Sequence, residues 1–243
     1  MHLLRASLII AALLLIGCGR YFPGPIRPAI EAEQAPRMTV SDDGTVSYSY
    51  ERLEISLRPM MDAELNRSFL SQSTKGAEST NPYTYGDWVP LGETHTPARF
   101  TVFLLKTKNY AYPKIRVDPL EVVIHTQNKR EYRPLDLLQL SEYYRGHALA
   151  WAGNAHDKYR QNIDVLRRTM YKANMLFSGQ EDEGYIVFPP LADDVTSFSI
   201  TLEDIILRFN YADEPVESLQ LTYQFERDVH KGFQPPELLT AEK

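Results

Sequence analysis

The chain has 243 residues, of which 43% are apolar and 24% are charged, and its formal net charge is −6. This balance is typical of a globular protein and excludes a disordered one. The mild acidity argues against nucleic-acid binding, which needs a basic surface. A single cysteine excludes a disulfide framework and a cluster of thiolate metal ligands.

The first eighteen residues have the pattern of an export signal. Arg5 is the only charge before an apolar run, Leu8 to Ile16, that is too short to span a bilayer. The run ends in Leu15-Ile16-Gly17-Cys18, which resembles the lipobox of bacterial lipoproteins. The resemblance implies that residues 1–17 are removed and that Cys18 is the lipid attachment site, which anchors the protein to a membrane. An ordinary signal peptide with an incidental cysteine is the alternative.

The residues after the cysteine predict where the protein is held. Gly19 stands where, in the enterobacterial pattern, an Asp would retain a lipoprotein in the inner membrane. We therefore expect the outer membrane, with the domain facing the periplasm. Residues 18–41 are rich in proline, which predicts a semi-extended tether with a reach of at most roughly 70 Å.

Alternation of apolar and polar side chains predicts strands over most of the remaining chain. One-residue slips in the alternation, at Glu51-Arg52 and at Glu203-Asp204, predict bulges, or at the first position a change of sheet. The predicted strands cover residues 46–50, 53–57, 100–105, 117–126, 131–133, 184–189, 198–209 and 219–225.

A helical period interrupts the strands and predicts a helical insertion at about 136–178. Asp136 is placed to cap a first short helix. A longer helix, about 155–178, is predicted to end at Gly179. Its apolar stripe consists of Tyr159, Ile163, Leu166, Met170, Ala173 and Phe177.

These elements predict a mainly β protein, a two-sheet antiparallel immunoglobulin-like sandwich with a helical insertion. The sandwich domain is placed at 42–232 and a tail at 233–243. The layout of residues 95–228, a helix followed by an aromatic strand and two long alternating strands, resembles bacterial lipoproteins with Ig-like domains of unassigned function. That resemblance brings no active site with it.

Two groups of side chains are candidate binding residues. Arg160, Arg167, Arg168 and Lys172 share one helix face and predict a surface for an acidic partner, lipid head groups or lipopolysaccharide phosphates. An ordinary solvated helix face is the alternative.

The long polar connection at 66–97 carries the second group. Tyr83, Tyr85 and Trp88 are suited to stacking on sugar rings, with Asp87 accepting hydrogen bonds from sugar hydroxyls. Packing of these aromatic rings against the edge of the sandwich is the more frequent role of such residues.

The sequence predicts no metal site, no cofactor and no catalytic residue. Histidines are scattered, and the chain has no Gly-x-Ser-x-Gly elbow. Calcium would need the acidic turns at 181–183 and 193–194 to meet at one end of the sandwich, and solvated turns are the competing interpretation.

The leading functional hypothesis is therefore a non-enzymatic, lipid-anchored interaction or scaffold module with a protein partner in the cell envelope and no nucleic-acid partner. The alternative is an envelope module that binds a glycan or another small ligand through the 66–97 loop. A hydrolase without a recognisable motif is the third hypothesis.

Overall fold

The computed structural model describes residues 19–93, 96–150 and 155–236. The predicted signal peptide, Cys18, His95 and the last residues of the predicted tail lie outside these ranges. The described strands are β1 (Arg20–Pro23), β2 (Arg27–Pro28), β3 (Met38–Val40), β4 (Val46–Tyr50), β5 (Leu53–Met60), β6 (Thr101–Asn109), β7 (Lys114–Arg116), β8 (Val122–Thr126), β9 (Glu131–Tyr132), β10 (Met175–Phe177), β11 (Gln180–Phe188), β12 (Ser197–Phe209), β13 (Pro215–Glu226) and β14 (Val229–Gly232). The described α-helices are α1 (Asp62–Ser68), α2 (Leu70–Ser73), α3 (Leu137–Ala150) and α4 (Ala155–Thr169).

The strands form antiparallel sheets. One sheet has the order β11-β6-β5-β4-β3, and a second has the order β10-β7-β12-β13-β2, with β8 and β9 joined to it through β12. A separate two-stranded ladder pairs β1 with β14. The mainly β, antiparallel character predicted from the alternation is confirmed, and the arrangement is consistent with a β-sandwich.

A sandwich core fills the space between the two larger sheets. Strand alternation sends every second side chain inward, so Phe103 of β6 meets Phe225 of β13 with ring centroids 5.2 Å apart. Tyr223 donates its hydroxyl to the carbonyl of Ile55 in the opposite sheet, at 2.9 Å. The alternation predicts that Leu219, Leu221, Tyr223 and Phe225 point inward; the last three are buried, and Leu219 is partly buried against the core.

A second core, the helical core, lies on the other face of the five-stranded sheet. Val102 and Val187 point away from the sandwich and are buried among residues of the helices. The helical contribution to this core includes Leu65, Leu140, Tyr144, Ile163 and Leu166. Strand β6 is therefore apolar on both faces, as its sequence predicts, because it is covered on both sides.

The helical segment is shorter than predicted. Asp136 does cap α3, since its carboxylate accepts the backbone N–H of Gln139 at 2.7 Å. However, α4 ends at Thr169, and Phe177 lies on β10 with about half of its surface exposed. The chain leaves the helix to cross β11, where the N–H of Tyr171 donates to the carbonyl of Tyr185 at 3.0 Å.

Two glycines explain the path of the chain after α4. Gly184 permits the crossing, because a Cβ there would lie 2.4 Å from the backbone nitrogen of Tyr171. Gly179, predicted to cap the helix, instead makes the turn between β10 and β11 with φ +85°. A repeating apolar period across residues 155–177 therefore includes both a helix and a short strand.

The two predicted bulges have different outcomes. The bulge in β12 is confirmed, since its register with β13 shifts between Leu202 and Ile205, and Asp204 has φ 49°. At Glu51-Arg52 the bulge prediction is wrong. The chain there makes a tight hairpin, in which Tyr50 pairs with Leu53 and Glu51 has φ 53°.

The prediction of a free tether over 18–41 is also wrong for the described residues. β1 pairs with β14, β2 with β13 and β3 with β4. The side-chain amide of Gln34 exchanges two hydrogen bonds with the backbone of Gln224, at 2.8 and 3.0 Å. Pro23 and Pro28 are tolerated because they end short edge strands, where a missing N–H costs no ladder bond, and Pro25 and Pro36 lie outside the strands. The domain therefore begins about twenty residues earlier than position 42.

Candidate functional sites on the helical layer

Helix α4 divides into a packed face and an exposed face. Ile163 and Leu166 are buried in the helical core, and Tyr159 packs against it. Arg160, Arg167 and Arg168 are exposed on the other side, as the helical period predicts. Lys172 is exposed as well, but it lies three residues beyond the end of the helix.

The exposed face of α4 carries both signs of charge. Arg168 forms an ion pair with Asp164 one turn earlier, at 2.7 Å. Arg160 and Arg167 form no ion pair with any other described residue, and they line an open groove of about 660 Å³ together with Asp157 and Asp164. The structure thus brings two of the four predicted cations into one groove and leaves Arg168 neutralised.

The 66–97 connection is folded rather than extended. Asn81, which is fully buried, donates through its amide to the carbonyl of Leu65 at 3.3 Å and to the hydroxyl of Ser73 at 2.9 Å. The same side chain accepts the N–H of Tyr83 at 3.0 Å. One asparagine therefore ties the connection back onto α1 and α2.

The predicted aromatic residues of this connection differ in accessibility. Tyr83 is fully buried, stands 5.0 Å from the ring of Tyr185, and shares a hydrogen bond with Thr169 at the end of α4. Its position excludes it from direct contact with a ligand and corrects that part of the prediction. Tyr83 instead joins the connection to the helical layer.

Tyr85 and Trp88 are only partly buried, with ring centroids 5.4 Å apart. Asp87 is exposed, but its carboxylate accepts the N–H of Gly76 at 2.6 Å and so closes the connection. Of the four predicted ligand residues, Tyr83 therefore lies in the core and Asp87 closes the connection. Tyr85 and Trp88 are the two whose rings remain partly accessible.

Arg99 completes this site and was not singled out from the sequence. Its guanidinium carbon lies 4.6 Å from the ring centre of Tyr85, 5.6 Å from that of Tyr143 and 5.0 Å from that of Tyr144. Arg99 lies in a bend two residues before β6, and two of the three tyrosines come from α3. In the sequence, the adjacent aromatic residues Tyr143 and Tyr144 were the one feature that could have indicated this site. Nothing in their spacing, however, points to Arg99.

The electrostatics of the Arg99 site favour a charged guanidinium and neutral phenols. Burial alone would lower the pKa of Arg99, but its tyrosine neighbours outweigh this effect and the pKa is raised. Burial, followed by the proximity of Tyr143, raises the pKa of Tyr85. The hydroxyl of Tyr85 therefore keeps its proton at neutral pH and can act as a hydrogen-bond donor.

The acidic turns do not meet. Residues 181–183 lie at the start of β11, and residues 193–194 follow its end, so about 20 Å of strand lies between them. Glu181 and Glu183 lie near Lys106, and Asp194 forms an ion pair with Arg130. The geometric condition for a shared calcium site is therefore not met.

Within the described ranges, no group of three or more His, Cys, Asp or Glu side chains is placed to hold a metal ion. In the same ranges no helix is both long and apolar enough to cross a membrane. No protein-family model matches the chain, and neither a curated protein nor a solved structure is detectably similar to it.

Proposed function

We propose that the protein is a lipid-anchored protein of the outer membrane, facing the periplasm, that acts as a non-enzymatic interaction module through the exposed face of α4. The observation that carries the proposal is the division of α4. Ile163 and Leu166 pack in the helical core, whereas Arg160 and Arg167 face outward and have no carboxylate partner among the described residues.

The location of α4 supports a role beyond folding. The sandwich core lies on the opposite side of the five-stranded sheet and closes without any residue of α4. A helix that covers the outer sheet needs only its apolar stripe. The exposed charges are therefore available for a partner, at little cost to stability.

The pattern of charge favours a protein partner over a lipid surface. Arg160 and Arg167 are separated by about 10 Å along the helix axis, and Asp157 and Asp164 alternate with them. A partner with acidic groups at matching positions would gain from both cations. A uniformly anionic surface would also meet the two carboxylates and be repelled by them.

The start of the fold supports a position close to the membrane. β1 begins at Arg20, so one residue, Gly19, separates Cys18 from the first strand. If Cys18 carries the lipid, the sandwich is held at the membrane surface rather than on a long tether. The partner that fits this geometry is a protein whose acidic surface lies beside the membrane.

We also propose that the domain is an immunoglobulin-like sandwich in which α3 and α4 form an insertion. The facing antiparallel sheets support this description, and so does the position of both helices between β9 and β10.

The test is a charge reversal with a matched control. Arg160 and Arg167 are both changed to Glu, and the control carries Lys129→Glu and Arg133→Glu, two exposed cations away from α4. Envelope proteins that are crosslinked in intact cells to the wild type and the control should be lost from the α4 variant. Equal recovery of the same proteins by all three would overturn the proposal.

The same crosslinking experiment is repeated at increasing salt concentrations, to test whether recovery depends on charge attraction. Charge attraction is screened as ionic strength rises, so recovery by the wild type should decrease with added salt, and the difference from the variant should narrow. A difference that is independent of salt would point to misfolding of α4 rather than to lost charge recognition.

A further inference from the structure

The hydrogen bonds of Arg99 leave part of its guanidinium unused. Nε donates to the hydroxyl of Tyr143 over a long 3.4 Å, and Nη1 donates to the carbonyls of Asn81 and Thr84 at 3.3 and 3.0 Å. An arginine carries five N–H groups, of which Nη2 has two. Nη2 has no acceptor within the described part of the chain.

The charge of Arg99 is also uncompensated. None of the ion pairs between described residues includes it, although the side chain is partly buried beneath three aromatic rings. Aromatic faces and carbonyls stabilise a cation, but they do not neutralise it. A partly desolvated cation of this kind is complementary to an anion that brings its own charge.

A buried arginine elsewhere in the fold shows the difference. Arg227 is 8% exposed and donates from Nε to the carbonyl of Val195 at 2.8 Å and from Nη2 to the carbonyl of Ala192 at 2.5 Å. Two acidic side chains, Asp193 and Asp194, act on its charge. The Nε–Nη2 edge of Arg227 is therefore satisfied by carbonyls, and within the described residues its unused group is Nη1, whereas the unused group of Arg99 is Nη2, on the edge that can bind a carboxylate side-on.

The surroundings of the open edge indicate what else the anion carries. Tyr85 and Trp88 are partly exposed beside Arg99, and their rings offer faces on which a flat or cyclic group can stack. The hydroxyl of Tyr85 is engaged with that of Tyr143, so Tyr85 offers a ligand its ring rather than a free donor. Ligand sites in proteins typically combine such aromatic surfaces with a few fixed polar groups.

We propose that Arg99, Tyr85 and Trp88 form a binding site for a small ligand that carries a carboxylate next to a ring, the chemistry of an acidic sugar or an aromatic acid. Nη2 of Arg99 donates to one oxygen of the carboxylate. Nε donates to the other oxygen after its long hydrogen bond to Tyr143 breaks. This side-on bidentate geometry favours arginine over lysine. The ring stacks on Tyr85 and Trp88. This site is independent of the exposed face of α4.

The test uses the purified full-length protein and three probes: sodium glucuronate, sodium benzoate and glucose. Tryptophan emission reports binding because Trp88 lies in the site, and Trp88→Phe identifies the part of the signal that comes from this residue. Saturable binding of glucuronate or benzoate at millimolar concentration, without binding of glucose, supports the proposal and tells the two ring chemistries apart. Equal binding of glucose, or no saturable binding of either acid, overturns it.

Variants separate a binding role from a structural one. Arg99→Lys keeps the charge but loses the planar fork, so affinity for the acid should decrease about tenfold or more. Arg208→Gln, at an exposed ion pair with Glu217 between β12 and β13, should bind as the wild type does. Unchanged affinity in Arg99→Lys would overturn the proposal.

A change in melting temperature shows whether Arg99→Lys remains folded. If it does not, ligand binding to Trp88→Leu is measured by calorimetry instead, because this variant removes a partly exposed ring and leaves the arginine in place. The proposal then predicts at least a severalfold loss of affinity in Trp88→Leu, and unchanged affinity would contradict it.

Discussion

The sandwich core and the helical core lie on opposite faces of one sheet, but they are built from different side chains. The sandwich core is mostly aliphatic and phenylalanine side chains, brought together by strand alternation, although Tyr48, Tyr112, Tyr171 and Tyr223 are also buried in it. The helical core contains Tyr83 and Tyr144 as buried members, with further tyrosines at its edge. The hydroxyl of Tyr144 donates to the carbonyl of Pro82 at 2.6 Å, and Tyr83 bonds with Thr169.

This difference determines what each core can do. An apolar core contributes stability in proportion to the area buried and imposes little direction. Buried tyrosines add directional hydrogen bonds, because a buried hydroxyl needs a partner, and in the helical core these bonds join the 66–97 connection to α3 and α4. The helical core can therefore fix a charged side chain, Arg99, at its border, and both candidate binding surfaces lie on this side of the molecule.

The largest expected effect is in the sandwich core. Leu221→Ala should lower the free energy of unfolding by about 2–5 kcal/mol, because it removes a buried side chain and leaves a cavity. Thr222→Ala, on the other face of the same strand, should cost much less. Chemical denaturation measures both, and equal effects would contradict the assigned inward face of β13.

A smaller effect is expected where the helical layer crosses the sheet. Gly184→Ala should destabilise the protein by about 1–3 kcal/mol, because the new Cβ would collide with the backbone of Tyr171. Gly146→Ala, in α3 with nothing within 4 Å of the added Cβ, should be neutral or stabilising by up to about 1 kcal/mol. Thermal unfolding of both variants tests the close approach, and a tolerated alanine at 184 would refute it.

The sequence predicted the sandwich core better than the helical core for a physical reason. Alternation along β12 and β13 records directly which side chains are buried, so Leu221, Tyr223 and Phe225 could be assigned from one segment. The helical core is assembled from segments far apart in the chain. The contacts of Asn81 with α1, and of Arg99 with Tyr144, depend on tertiary structure that no local pattern encodes.

The errors at the ends of elements have a similar origin. The stripe from Tyr159 to Phe177 keeps a helical period by coincidence, because the strand after the helix also carries apolar residues. The hairpin at Glu51 appeared as a bulge because a two-residue turn and a one-residue slip give the same shift in alternation. Prolines after Cys18 suggested a tether, although edge strands accept them equally well.

A pH-dependent effect should arise at the start of α1, beside the helical core. Burial raises the pKa of Asp62 to about 6 in the folded protein, compared with an ordinary value of 3.8. The folded state thus holds a proton that the unfolded chain has already released, so stability decreases as pH rises from about 4 to about 6. The positive end of the helix opposes this shift.

Asp62→Asn removes this penalty and should raise stability at pH 7 by about 1–2 kcal/mol, less than the roughly 3 kcal/mol of the full shift. At pH 3.5 the variant and the wild type should be equally stable. Asp42→Asn, at an exposed turn, is the control and should change neither value. A gain that is the same at both pH values would show that it does not come from the titration of Asp62.

Attachment of the domain to a membrane through Cys18 is tested most directly by the intact mass of the protein extracted from bacterial membranes. We expect a mature chain that begins at Cys18, lacks residues 1–17 and carries acyl chains on that residue. Fragmentation should place all of the added mass on Cys18. A chain that begins elsewhere, or that retains Cys18 as a free thiol, would contradict the account.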